Sequence, residues 1–95
     1  MEYNAPAALD KYVTIAKAMS AYTEGMTREE AAKAAVDAVR QLSIRVGIPQ
    51  HLAELGIKET DLPRLAKAAY ADVCTPGNPR EVTENDLLEL YKKAY

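Results

Sequence analysis

Apolar residues in this chain recur at helical spacing, in stretches separated by glycine, proline or capping residues. Leu9, Tyr12, Val13, Ala16 and Met19 follow one another at three- and four-residue steps behind Pro6, which suits the first turn of a helix because its missing N–H has no partner there anyway. The pattern fades through Ser20 to Gly25. Thr27-Arg28-Glu29-Glu30 then has the form of a capping box, in which the Thr27 hydroxyl accepts from the Glu30 amide and the Glu30 carboxylate returns to the Thr27 amide. It opens a long second helix with Ala32, Ala35, Val36, Val39, Leu42 and Val46 on one face, and Gly47 supplies the left-handed residue that ends it. The run of alanines allows neighbouring helices to approach closely, so this helix is expected to be central.

Pro49 and Gly56 bracket a short third helix of about two turns. A fourth is expected from Thr60 or Asp61 to about Asp72, with Pro63 in its first turn and Leu62, Leu65, Ala68, Ala69 and Tyr70 along it. Cys74 to Arg80 holds two prolines and a glycine, which no regular helix or central strand accommodates, so it reads as an ordered loop. Thr83 then caps a last helix carrying Leu87, Leu88, Leu90, Tyr91 and Ala94, with Asp86 in place of the usual glutamate. No alternating strand pattern of useful length and no internal repeat appears. The expectation is an all-α fold, a small bundle of about five helices forming a single domain over residues 1–95.

Composition sets the kind of core. Hydrophobic residues make up 48% and charged residues 27% of the 95, the profile of a folding domain rather than a disordered one. With no Phe and no Trp, the core must rest on alanine, the branched aliphatics, methionine and six tyrosines. Twelve basic against 14 acidic residues, with neither sign clustered, give no electrostatic footprint for nucleic acid or an anionic membrane, and both are disfavoured as partners. No stretch approaches the ~20 apolar residues of a membrane span, and Met1-Glu2-Tyr3-Asn4 does not begin a signal peptide. A single cysteine, Cys74, excludes an internal disulfide and fits a reducing compartment, so the cytoplasm is the expected location.

Reactive chemistry is sparse. One histidine, His51, and one cysteine in separate segments do not supply the converging donors of a transition-metal site. His51 has no nucleophile and orienting carboxylate at a recognisable spacing, so a surface or helix-start role is expected of it. Glu29, Glu30, Glu59 and Asp61 all lie near helix starts, where the macrodipole accounts for them without catalysis. The four glycines never fall together in a phosphate-holding turn, and a helix-turn-helix reader around Gly47 fails because the following helix lacks basic residues. Cys74 shows no local feature that stabilises a thiolate, which leaves a small buried apolar role as the simple reading.

The segment Cys74-Thr75-Pro76-Gly77-Asn78-Pro79-Arg80, followed by Glu81-Val82-Thr83 and an acidic, leucine-rich helix, resembles the C-terminal signature of iron-containing, NAD-dependent alcohol dehydrogenases. The resemblance extends through Val46-Gly47-Ile48-Pro49, Leu55-Gly56-Ile57 and Asp61-Leu62-Pro63, while Tyr3-Asn4-Ala5-Pro6 is similar to the segment just after that family's last iron ligand. Within the family it points to the lactaldehyde reductase, 1,3-propanediol dehydrogenase and butanol dehydrogenase branches. The fold it implies is the C-terminal part of the family's helical domain. The family's Rossmann-like domain, and the Asp and three His that hold iron, would all precede Met1, so no iron or NAD(H) site is expected in this chain and a small alcohol or aldehyde substrate only in a full-length parent.

His51 matches no ligand position of the family. Cys74 matches a residue beside the substrate pocket, which gives it a pocket-lining role as a second reading beside the buried one. Pro76, Gly77, Asn78, Pro79 and Arg80 then form either a structural clasp, with Asn78 bonding the chain locally and Arg80 pairing with an acidic neighbour, or a rigid pocket wall. What the resemblance implies is a catalytically inert piece of a dehydrogenase. A free-standing helical interaction module is the alternative. In either case a homo-oligomer is expected, formed through apolar helix faces left open along Leu9 to Met19 or Val36 to Val46.

Overall fold

A computed structural model describes all 95 residues, and they are helical throughout, without strands. Four α-helices, α1 (Leu9–Ala18), α2 (Arg28–Arg45), α3 (Leu62–Ala71) and α4 (Glu84–Ala94), alternate with short 3-10 turns. The all-α expectation therefore holds. Of the five helical segments read from the pattern, the third is present as a single 3-10 turn. The chain forms two compact units, Met1–Ile48 and Pro49–Tyr95, each built on one helical hairpin.

In the first unit, Pro6 does not open α1 as its position suggested. It lies inside a separate 3-10 turn, Glu2–Ala7, and Ala8 (φ −146°, ψ 35°) breaks the helical path before Leu9. The rule that places proline in a first helical turn applies to either helix type, so the sequence alone does not separate them. The turn is fastened to α1 by the Tyr12 hydroxyl, which donates to the Met1 carbonyl at 2.6 Å. Burial of Tyr12 raises its phenol above the ordinary pKa.

At its other end α1 closes with two bonds of a Schellman motif: Ala21 N–H donates to Ala16 O (2.8 Å) and Ser20 N–H to Lys17 O (3.1 Å). The left-handed position usually given to glycine is filled here by Ser20 at φ 57°. The same motif ends α2, with the expected glycine: Gly47 sits at φ 79°, and Ile48 N–H reaches Ser43 O at 2.9 Å.

Thr27 caps α2 as expected, its hydroxyl accepting from Glu30 N–H at 3.1 Å; the structure forms this half of the box. Tyr12 and Ala16 from α1 meet Ala31, Ala32 and Ala35 from α2 in the buried core, with Leu9, Val13, Ile15, Tyr22, Met26 and Val36 around it. Alanines at the contact let the two backbones approach closely, because methyl groups take up little of the space between them, with Tyr12 as the one large member of the core.

The face expected of α2 is buried only in part. Ala32 and Ala35 are covered, but Leu42 is 39% and Val46 63% exposed. Helix length explains this. Ten residues make α1 about 15 Å long against about 27 Å for the 18 residues of α2, so α1 covers little more than half of its partner. Of the two faces expected to be open, Leu9 to Met19 or Val36 to Val46, the first packs against α2.

In the second unit the expected two-turn helix is shorter. Pro49 lies outside it, and the 3-10 turn Leu52–Leu55 ends at Gly56, whose φ of 78° only glycine adopts without strain. A second 3-10 turn, Glu59–Asp61, runs directly into α3, with the Asp61 carboxylate accepting from Lys58 N–H at 3.1 Å and Pro63 in the first turn of the helix. Leu62 and Ala66 are buried where α3 packs on α4.

The capping box of α4 is complete despite its shorter acid. Asp86 N–H donates to the Thr83 hydroxyl (3.1 Å), and the Asp86 carboxylate accepts from Thr83 N–H (2.9 Å). Replacing Thr83 with Ala removes one of these bonds outright and is expected to cost about 1 kcal/mol. Urea denaturation followed by circular dichroism checks this: Thr83→Ser should recover most of the loss, and equal stability of Thr83→Ala and the parent sequence would contradict it.

Candidate functional site

The seven residues from Cys74 to Arg80 connect α3 to α4, and the structure shows what orders them. The chain leaves α3 at Asp72, whose carboxylate turns back to accept from Cys74 N–H at 2.8 Å, while its carbonyl accepts from Thr75 N–H at 3.1 Å. The Thr75 hydroxyl donates to Ala69 O at 2.5 Å, a second donor to a carbonyl that also accepts from Asp72 N–H at 3.3 Å at the end of α3. Thr75–Gly77 then forms a 3-10 turn with Pro76 in its second position, closed by Gly77 N–H to Cys74 O at 3.0 Å. The Asn78 amide donates to Arg80 O at 2.5 Å, which is the local bond expected of that side chain.

Asp72 and Thr75 were not among the residues the sequence pattern singled out. Their signal was present, since an Asp or Thr followed two or three residues later by a backbone donor or preceded by a helix end is a common turn fastener. The loop therefore owes its shape to two side chains anchored on α3 as well as to its prolines.

A depression of about 530 Å³ opens beside the loop, lined by Tyr70, Thr75, Pro76, Asn78 and Arg80 among others. Cys74 is not one of its lining residues, and it is exposed, so in this chain it does not serve as a buried apolar filler. His51 is exposed as well, and its role is local: its carbonyl accepts from Glu54 N–H at 3.1 Å at the start of the Leu52–Leu55 turn. These two residues, the single histidine and the single cysteine, lie in separate segments of the chain. No group of three or more His, Cys, Asp or Glu side chains converges to hold a metal ion.

The first unit carries a second concavity, a groove of about 490 Å³ between the Glu2–Ala7 turn and α2. Its floor is Ala5, Pro6, Leu9, Ala32 and Val36, and charged side chains form its rim. Lys33 and Arg40 both face Asp37, at 2.7 and 3.4 Å, and Arg40 also reaches Glu2 at 3.6 Å. The hydrogen bond from Lys33, aided by the positive charges of Lys33 and Arg40, holds the Asp37 carboxyl below its ordinary pKa. All of these groups lie in solvent, where such pairs add little to stability.

A chain whose proline- and glycine-containing loop joins two helices is matched over residues 1–95 by the model of the Fe-containing alcohol dehydrogenase family, C-terminal. The chain belongs to the iron-containing alcohol dehydrogenase family. It is 52% identical to lactaldehyde reductase of Escherichia coli (strain K12) over 95 residues, all of this chain and 25% of that protein. It is 39% identical to 1,3-propanediol dehydrogenase of Citrobacter freundii over 93 residues, 98% of this chain and 24% of the other.

The structures agree with the sequences. The crystal structure of 1,3-propanediol oxidoreductase superposes with a TM-score of 0.95 at 37% identity, covering 99% of this chain and 25% of that one. Alcohol dehydrogenase from Oenococcus oeni superposes at 0.92 with 33% identity, over 99% of this chain and 24% of its own. The chain thus spans about a quarter of the length of the iron-containing dehydrogenases it matches. The iron in the family's description finds no ligand set among the His, Cys, Asp and Glu side chains of these residues.

Proposed function

We propose that this chain is the C-terminal helical quarter of an iron-dependent alcohol dehydrogenase, whose whole protein interconverts a small alcohol and its aldehyde with NAD(H), and that by itself it performs no chemistry. The observation that carries this reading is the match of all 95 residues to the C-terminal family model, at 52% identity to a relative about four times as long. Supporting it is the absence of any converging donor set in the 95 residues, since the polarisation of a substrate oxygen by iron requires ligands that another part of the protein must supply. The role assigned to these residues is architectural, with Cys74 and the Pro76–Arg80 segment presented to the substrate pocket as part of its wall. An exposed Cys74 on a fastened loop suits that task, because a wall that positions a small alcohol gains from restricted motion.

A second reading, a self-associating interaction module, is favoured by one specific observation. Leu42, Ile44, Val46 and Ile48 are 39%, 49%, 63% and 55% exposed at the end of α2 and just beyond it. Exposed apolar side chains grouped in this way, even with Ser43 and Arg45 among them, gain by being covered. The two readings are compatible for the isolated chain, which we expect to form a homodimer through this end while remaining inert.

The purified 95-residue chain tests both. It is expected to oxidise no primary alcohol with NAD, to retain no stoichiometric iron after dialysis against ferrous ion, and to scatter light as a dimer at micromolar concentration. Turnover that follows the protein through purification would overturn the inert reading. A clean monomer would overturn the self-association.

A further inference from the structure

We draw no further inference here: the strongest candidate, the groove floored by Ala5, Pro6, Leu9, Ala32 and Val36 between the Glu2–Ala7 turn and α2, carries none, because nothing in the structure shows what covers it.

Discussion

Leu62→Ala is expected to unfold most of the Pro49–Tyr95 unit at room temperature. Leu62 is 1% exposed and is the largest fully buried side chain of the chain, set at the start of α3 where that helix packs on α4. Truncating a buried leucine costs about 2–5 kcal/mol, from lost transfer energy and from the cavity left behind. A unit of this size has a core that supplies no more than about 3–5 kcal/mol, so the loss is comparable to everything that holds it together. Leu62→Met keeps the volume and should cost less than about 1.5 kcal/mol. Amide hydrogen exchange read residue by residue distinguishes the outcome: protection should vanish across α3 and α4 in the alanine variant and persist in the methionine one. Unchanged protection in Leu62→Ala would contradict the packing described here.

The opposite kind of substitution should be nearly as damaging in the other unit. Ala16, Ala31 and Ala35 have no exposed surface, and together they form the contact between α1 and α2. A leucine at Ala35 adds three carbons where there is no space, so either the helices separate or the side chain leaves its preferred rotamer; such overpacking costs about 1–3 kcal/mol, sometimes more. Leucine is itself a good helix former, so the loss reports packing and not propensity. Ala18→Leu, on the exposed side of α1, provides the contrast and should stay within about 0.5 kcal/mol of the parent sequence. Thermal unfolding of the two variants side by side checks the difference. Equal midpoints would mean that α1 and α2 do not meet at these alanines.

What was legible in the sequence is what depends on neighbours in the chain. The Thr83–Asp86 box, the left-handed Gly47, the stop at Gly56 and the place of Pro63 in the first turn of α3 each follow from a few consecutive residues, and each is present. What was not legible depends on partners elsewhere. Leu42 and Val46 repeat at the same helical spacing as Ala35, and only the length of α1 leaves them uncovered. Ala31 is fully buried although the expected face of α2 began at Ala32, because the alanine contact is broader than a single stripe. Pro6 and Pro49 marked the start of something helical without saying which helix type followed, or how far away it began. Ser20 gave no sign of its left-handed backbone, since the rule that finds such positions looks for glycine.

The candidate site divides in the same way. The prolines and glycine between Cys74 and Arg80 announced an ordered loop, and the clasp reading of it gave Asn78 a local bond to the chain, whose acceptor is Arg80 O. The anchors at Asp72 and Thr75 lay at the helix end and were missed, although they tie the loop to α3 through the Cys74 amide and the Ala69 carbonyl. The family resemblance came from the loop residues themselves, and the match across residues 1–95 agrees with it.

If these residues serve as the helical quarter of a working dehydrogenase, they should do so in the body of a relative, and an exchange measures this. Escherichia coli lactaldehyde reductase would be produced with its matching 95 residues replaced by this chain, and its reduction of lactaldehyde would be measured beside that of the unaltered enzyme. A folded hybrid that reduces lactaldehyde is expected, whereas the same enzyme cut short before the exchanged segment should not. A folded, metal-loaded hybrid with no activity would contradict it.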